Sequence, residues 1–298
     1  MHLFLDQGKL HPTSPFDFDK SLNFLKIFTP SQNEQLISGR SLTKAISIKG
    51  QAFIFRIKSV GTIDRPVLEY ILLSEHPISE DQKYSALDRA SFFLSLYDNL
   101  QSFYEAAAND LHFNPVIRRL YGYHQVKFLT PFENACWAVL TQRLPVLLAK
   151  RMKDLLVQTY GAPIQTQTAL MRSFPEPSQL SLENVKHLAK LLGNPQKAAY
   201  LHYLARAFHE VDEDFLRHAP YDQVQKWLQD IKGIGTWSAT FILIRGLGRM
   251  ERVPATDRRL IHAASRFYGQ EVDRSIPQIA DQYGPWQGYW AHYLKVVA

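Results

Sequence analysis

The feature that most constrains this chain is a pair of glycines between two helical patterns. Residues 231–239 read Ile-Lys-Gly-Ile-Gly-Thr-Trp-Ser-Ala, with one isoleucine between Gly233 and Gly235. Before the pair, apolar side chains recur at the spacing of one buried helix face, and a second helical pattern runs from Thr236 to about Arg245 and stops at Gly246. Glycine lets the backbone approach a bound group closely, and free amides at a helix start favour an anion. The segment therefore predicts a helical hairpin that holds a phosphate.

Four segments, in the same order, resemble those of the helix-hairpin-helix DNA glycosylases, the HhH-GPD superfamily. In that family the hairpin reads apolar-x-Gly-apolar-Gly and a catalytic aspartate follows it, and Asp257 matches that aspartate. The other matching segments are residues 131–142, residues 174–177 with 197–201, and residues 285–289. The resemblance covers roughly the last two thirds of the chain. It implies base excision repair of DNA.

The resemblance also implies a domain organisation. We expect a mainly α fold, with a small N-terminal antiparallel α+β domain at residues 1–105 and a helical HhH-GPD glycosylase domain at residues 106–298. The second domain is expected to form two helical subdomains with the active-site cleft between them. It would contain the hairpin at residues 222–245 and the helix of the catalytic aspartate at residues 257–268. Apolar residues alternate over 41–73, as in antiparallel strands.

Helix boundaries are marked by capping residues. Thr130 and Glu133 have the spacing of a capping box with a proline between them, which predicts one helix from Thr130 to about Tyr160. Further helices are predicted over residues 84–109 and 181–192, and from Asn194 onward.

Trp237 distinguishes between subgroups of the family. Bifunctional glycosylase/lyases carry a catalytic lysine at this place, whereas a tryptophan resembles the alkylbase subgroup, DNA-3-methyladenine glycosylase II. The resemblance implies a monofunctional enzyme that flips alkylated purines, such as 3-methyladenine or 7-methylguanine, out of duplex DNA and hydrolyses them off. Lys232 is out of register for a lyase nucleophile and is better explained as a phosphate contact or a solvated side chain.

Asp257 is the candidate catalytic residue. Breaking an N-glycosidic bond builds positive charge on the sugar, and a carboxylate stabilises that charge or aligns a water. The helix dipole favours the charged form at this helix start. Taken alone, an aspartate here is equally well explained as an N-cap.

Three aromatic residues are candidates for the walls of the base pocket. Trp237 and Phe241 are four residues apart and share one helix face, and Trp286 matches the family's other pocket tryptophan. Aromatic faces attract cationic rings such as N3- or N7-alkylated purines. Phe241 alone is nearly as well explained as ordinary core.

The resemblance also gives candidate DNA contacts. A wedge that fills the gap left by the flipped base is expected just after Gln142, at Arg143 or Leu144, where Pro145 indicates a local distortion. The hairpin contacts are expected from Lys232, Gly233, Ile234, Gly235 and Thr236.

Composition limits partners and location. The chain has 34 Lys and Arg against 28 Asp and Glu, a net charge of +6, which is compatible with duplex DNA containing damaged bases. Its single cysteine, Cys136, excludes a four-cysteine iron-sulfur cluster within the chain. Neither a signal peptide nor a membrane span is evident, so we expect an intracellular, cytoplasmic protein that acts as a monomer.

No cofactor and no catalytic metal are expected, because the eleven histidines form no metal-binding pattern. Structural relatives bind a monovalent cation through hairpin carbonyls. A Na⁺ or K⁺ ion would here lie near the carbonyls of Gln229, Ile231 and Ile234.

Two alternatives stay open from the sequence. One is a glycosylase/lyase or mismatch glycosylase for oxidised or deaminated bases, against which Trp237 argues. The other is a non-enzymatic helix-hairpin-helix DNA-binding module, which would need the hairpin amides but not Asp257.

Overall fold

The N-terminal part of the chain is built around an antiparallel sheet. The computed structural model describes residues 3–166, 169–254, 256–270, 272 and 275–298. Its first five strands are β1 (Phe4–Leu10), β2 (Gln35–Ser38), β3 (Ser41–Ile48), β4 (Gln51–Ser59) and β5 (Leu68–Ser74). They form one sheet in the order β1-β5-β4-β3-β2. The strands predicted within 41–73 are confirmed, and β1 and β2 are added at the edges, where partly exposed side chains leave little apolar pattern.

Helices make up most of the rest of the described chain. They are α1 (Phe18–Ile27), α2 (Glu80–Phe93), α3 (Gln101–Ala108), α4 (Asn114–Leu120), α5 (Pro131–Leu140), α6 (Val146–Tyr160), α7 (Pro177–Ser181), α8 (Val185–Leu192), α9 (Pro195–Glu210), α10 (Glu213–His218), α11 (Tyr221–Asp230), α12 (Thr236–Gly246), α13 (Arg258–Tyr268), α14 (Ile276–Asp281) and α15 (Gln287–Val297). A short hairpin of β6 (Pro163–Gln165) and β7 (Leu170–Arg172) packs Ile164 and Met171 against Ala45 and Ile54 of the sheet. Within the described ranges, no helix combines the length and the apolar character that a membrane span requires.

The predicted single helix from Thr130 to Tyr160 is wrong, because the chain turns between α5 and α6. Pro145 lacks an amide hydrogen to continue the ladder, and Arg143 adopts a left-handed φ of 54°. The Nζ of Lys197 donates to the carbonyls of Val139 and Gln142 at 2.7 and 3.0 Å, which satisfies the acceptors at the end of α5. Thr130 caps α5 through the Glu133 amide, as predicted.

Two other predicted helices have different bounds. The segment 84–109 forms two helices, and the first starts earlier, at Glu80, behind a capping box between Ser79 and Gln82. The segment 181–192 is helical only from Val185, because Asn184 provides the N-cap.

Two hydrophobic clusters underlie this arrangement. One joins the sheet and α1–α4 to α13–α15, and the other is built by α5–α12. The C-terminal helices α13–α15 therefore pack against the N-terminal part of the chain. The predicted division into residues 1–105 and 106–298 stays a prediction.

Candidate active site and hairpin

The hairpin between α11 and α12 uses its two glycines differently. Gly233 has a φ of 101°, and a Cβ built on it would lie 2.5 Å from Cγ of Tyr200. Gly235 is the N-cap of α12, and a Cβ there would have no atom of the described chain within 4 Å. The Ile234 amide donates to the Ile231 carbonyl at 3.0 Å and closes the turn. Gly233 is therefore required by the fold, whereas Gly235 leaves the start of α12 open to a bound group.

Gln142 joins the end of α5 to the hairpin. Its Nε2 donates to the Gly233 carbonyl at 2.8 Å and lies 3.4 Å from the Ser238 hydroxyl. The two residues after it, Arg143 and Leu144, line a cleft of about 600 Å³ together with both hairpin glycines. The structure thus places the wedge candidates beside the hairpin and gives Gln142 a role in holding it.

Of the remaining hairpin candidates, Ile234 is buried, whereas Lys232 and Thr236 lie at the surface. Lys232 is exposed, with its Nζ 5.3 Å from the centre of the Tyr203 ring. Thr236 is also exposed, and its hydroxyl accepts from Nε2 of Gln229 at 3.2 Å. At the predicted monovalent cation site, the Ile231 carbonyl already accepts the hydrogen bond that closes the turn. A carbonyl oxygen has a second lone pair, so this bond does not exclude a cation and the site stays a prediction.

Several of the predicted site residues line one cavity of about 260 Å³, at the border between the two hydrophobic clusters. Trp237 and Phe241 both line it, and their rings stack at 5.3 Å with an angle of 6° between their planes. Trp237 is 48% exposed, a large fraction for an indole ring. The wall it forms can therefore accept another flat ring.

Asp257 lies at the same cavity, at the start of α13. Its Oδ1 accepts the Arg259 amide at 3.0 Å, and its Oδ2 lies 3.3 Å from the Nζ of Lys295 on α15. The carboxylate is mostly buried, with 13% of its side chain exposed. The N-cap and the candidate catalytic group are thus the same side chain.

The ammonium group of Lys295 has a perturbed environment. Loss of solvation lowers its pKa, and the neighbouring Asp257 carboxylate opposes that shift by favouring the charged form. The pair places one amine within the cavity, next to the carboxylate.

The structure does not bring Trp286 to this cavity. Its Nε1 donates to the Ser102 hydroxyl at 2.8 Å, and its ring packs on Phe103 and Tyr289. The reason is that residues 284–286 form a short turn before α15, and the helix presents Gly288 and residues further along to the cavity instead. We therefore correct the expected position of this tryptophan.

Sequence reasoning missed the residues that occupy the opposite wall. Phe24 of α1 and Phe28, the residue directly after α1, line the cavity from the N-terminal part of the chain. Their spacing with Ile27 on one helix face was a detectable signal, but nothing in the sequence indicated that this face meets α12.

A buried arginine was also missed. The Arg245 guanidinium lies 5.1 Å from the ring centres of both Phe24 and Phe28, and its Nη1 donates to Nδ1 of His292 at 3.2 Å. Nε2 of His292 is 3.1 Å from the Tyr123 hydroxyl. Burial lowers the pKa of Arg245 to about 10 and that of His292 well below its usual range. At neutral pH the arginine is therefore charged and the histidine neutral.

Known proteins with similar sequences and structures indicate the family to which this chain is related. The family model "HhH-GPD superfamily base excision DNA repair protein" matches residues 136–282. A DNA-3-methyladenine glycosylase of Bacillus subtilis is 24% identical over 286 residues, 94% of this chain and 93% of that protein. DNA-3-methyladenine glycosylase 2 of Escherichia coli is 31% identical over 53% of this chain, which spans about half (54%) of that relative's length.

A solved structure shows the same fold over nearly the whole chain. The 3-methyladenine DNA-glycosylase from Archaeoglobus fulgidus aligns with a TM-score of 0.79 at 18% identity, covering 97% of each chain. The predicted fold class, mainly helical with an N-terminal antiparallel sheet, is confirmed. Residues 136–282 of the chain thus belong to the HhH-GPD superfamily of base excision DNA repair proteins.

Proposed function

We propose that this protein is a monofunctional DNA glycosylase that releases alkylated purines from duplex DNA. The observation that carries the proposal is that Asp257 and the stacked Trp237–Phe241 pair line one cavity. The name of the Bacillus subtilis relative, DNA-3-methyladenine glycosylase, supports the same activity. A non-enzymatic hairpin module would need Asp257 only as the N-cap of α13, which does not require the carboxylate to share a cavity with an aromatic wall.

The proposed contact with DNA uses the hairpin and the turn after α5. The open backbone at Gly235 lets a phosphate approach the first amides of α12. Arg143 is exposed and has a left-handed backbone conformation at the turn beside the same cleft. We propose that its side chain enters the duplex when a base leaves it, with Leu144 behind it. Unstacking the base costs a few kcal/mol, which stacking on Trp237 offsets.

The proposed reaction is a hydrolysis at C1′ of the flipped nucleotide. The bond from C1′ to the base nitrogen breaks, and its electron pair leaves on the base. The Asp257 carboxylate stabilises the positive sugar, a water oxygen bonds to C1′, and the proton of that water passes to the carboxylate and then to solvent. An N3- or N7-alkylated purine leaves as a neutral molecule and needs no general acid.

The experiment uses duplex DNA treated with a methylating agent and unmethylated duplex as the control. We expect release of free 3-methyladenine and 7-methylguanine from the methylated DNA alone, with strands that break only after alkali. Absence of free bases would overturn the activity. Strand breaks without alkali would contradict the monofunctional mechanism and point to Lys295, the amine that faces the cavity beside Asp257.

The two hairpin glycines give a matched pair of variants. Gly235→Ala should leave the melting temperature unchanged, because the added methyl meets no atom of the described chain, and should weaken binding to an abasic-site duplex by about tenfold. Gly233→Ala should cost about 1–3 kcal/mol of folding stability through its positive φ and the clash with Tyr200. Melting curves and duplex titrations measure both. Unchanged affinity in Gly235→Ala would remove the proposed role of the hairpin.

A further inference from the structure

Lys197 is a buried lysine whose ammonium group has no carboxylate partner in the described part of the chain. The residue is 6% exposed and lies in the first turn of α9, where Asn194 caps the helix by accepting the Lys197 amide at 3.0 Å. Burial lowers the pKa of the ammonium group, and no neighbouring charge among the described residues opposes that shift. A buried cation without an anionic partner is costly, so the contacts that it makes have to offset that cost.

Those contacts are with the end of α5. The Nζ of Lys197 donates to the Val139 carbonyl at 2.7 Å and to the Gln142 carbonyl at 3.0 Å. Val139 lies in the last turn of α5, where the helix dipole favours a cation, and Gln142 lies in the turn that follows. The next residue, Arg143, has a left-handed φ of 54°. The Lys197 ammonium group is therefore a donor that fixes the backbone directly before Arg143.

The hairpin has supports of its own. Tyr200 lies one turn after Lys197 on α9, and its ring packs so closely against Gly233 that a Cβ there would lie 2.5 Å from the tyrosine Cγ. The Ile234 amide also closes the hairpin turn by donating to the Ile231 carbonyl. Helix α9 thus supports both segments that we propose to contact DNA. Removing the Lys197 ammonium group would free the turn after α5 without removing these supports of the hairpin.

We infer that Lys197 is a positioning residue for base flipping, because it holds the backbone that presents Arg143 and Leu144 to the gap in the duplex. This inference rests on the proposed function, in which these two side chains fill the space that the flipped base leaves. Without the two hydrogen bonds, the turn loses its fixed distance from the hairpin. A displacement of about 1 Å in a positioning group can cost about 10²-fold in rate.

The test detects insertion of the two side chains by fluorescence. The probe is a duplex that carries a tetrahydrofuran abasic analogue next to 2-aminopurine, a base whose emission depends on stacking with its neighbours. We expect the wild-type protein to change this emission on binding. The double variant Arg143→Ala, Leu144→Ala should lose most of that change, because neither side chain can then fill the gap.

Lys197→Met has a side chain of similar length but no donor, and it should also lose most of the emission change. At saturating protein it should release 7-methylguanine from duplex DNA about tenfold more slowly in a single turnover. Its affinity for undamaged duplex should stay within about threefold of wild type, because phosphate contacts dominate that binding. The expected result is therefore a loss of rate without a matching loss of affinity.

Lys127→Met is the matched control. Lys127 is also a buried lysine, and its Nζ donates to the Phe92 carbonyl and the Ser95 hydroxyl, but it does not line the cleft beside the hairpin. This variant should melt at a lower temperature and keep the full emission change. If Lys197→Met does not fold, Lys197→Gln, with a shorter polar side chain, provides the same comparison.

The inference fails if Lys197→Met keeps either the wild-type emission change or the wild-type rate, or if Lys127→Met loses as much of the emission change. It also fails if the wild-type protein gives no emission change, or if the change persists in the double variant of Arg143 and Leu144. A wild-type protein that releases no base overturns the proposed function instead. The emission from the abasic duplex would then still show whether Lys197 positions the turn.

Discussion

Asp257→Asn is expected to reduce the release of methylated purines by about 10³-fold or more while the protein stays folded. Asparagine has the same shape and is as good an N-cap as aspartate, so the bond to the Arg259 amide can persist. What is lost is the negative charge near the sugar, together with the ion pair to Lys295. The variant therefore separates the catalytic role of this side chain from its capping role.

The control for this variant is Asp212→Asn. Asp212 is also an N-cap aspartate, accepting the Asp214 amide at 2.9 Å, but it starts α10 and does not line the cavity. Both variants should melt within a few degrees of wild type, and Asp212→Asn should retain full base release. Base release by Asp257→Asn at the wild-type rate would show that Asp257 only caps α13.

The hairpin and Asp257 were predictable because local sequence determines them. The two glycines, the helix start at Thr236 and the N-cap position of Asp257 each follow from spacing along one short segment. The side-by-side arrangement of Trp237 and Phe241 likewise follows from the period of one helix. These features required no knowledge of how distant segments meet.

The opposite wall could not be predicted, because it depends on contacts between segments far apart in the chain. Phe24 and Phe28 come from α1 and its C-cap, while Arg245 and His292 come from α12 and α15. The predicted position of Trp286 was wrong for the same reason. The matching motif gives its place in the sequence, but it does not show which residues of α15 face the cavity. The family resemblance therefore did not show that Arg245 and His292 border the pocket.

Lys153→Met should destabilise the protein by about 3–5 kcal/mol, the usual effect of removing one partner from a buried ion pair. Lys153 has no exposed surface, and its Nζ lies 2.8 Å from a carboxylate oxygen of Glu133 and also contacts Glu34. Burial alone would lower the pKa of this lysine, but Glu133 and Glu34 outweigh burial and raise it. In the variant, Glu133 is left charged without its cationic partner.

The loss should depend on pH in a known direction. Burial alone would raise the pKa of Glu34, but Lys153, Lys44 and Lys150 lower it overall. A depressed carboxyl pKa contributes stability that is present above the ordinary value of 4.5 and is lost as the pH falls through the folded value. Removing Lys153 removes part of that contribution and raises the pKa of Glu34. Urea unfolding should therefore show a larger deficit at about pH 7 than at about pH 3, which lies below the ordinary value of 4.5.

The double variant Lys153→Met, Glu133→Leu removes both charges of the buried pair and so tests whether the stranded charge of Glu133 causes the loss of stability. An apolar pair of similar volume fills the space without a stranded charge, so the double variant should be more stable than Lys153→Met alone. A double variant as unstable as the single one would mean that Lys153 acts by packing rather than by charge.

The site is affected as well, because Glu34 lies on the segment between α1 and β2, and its contact with α6 helps to hold the N-terminal part against the helices. Loosening this contact should also weaken base release, since α1 and its C-cap carry the phenylalanines that flank Arg245.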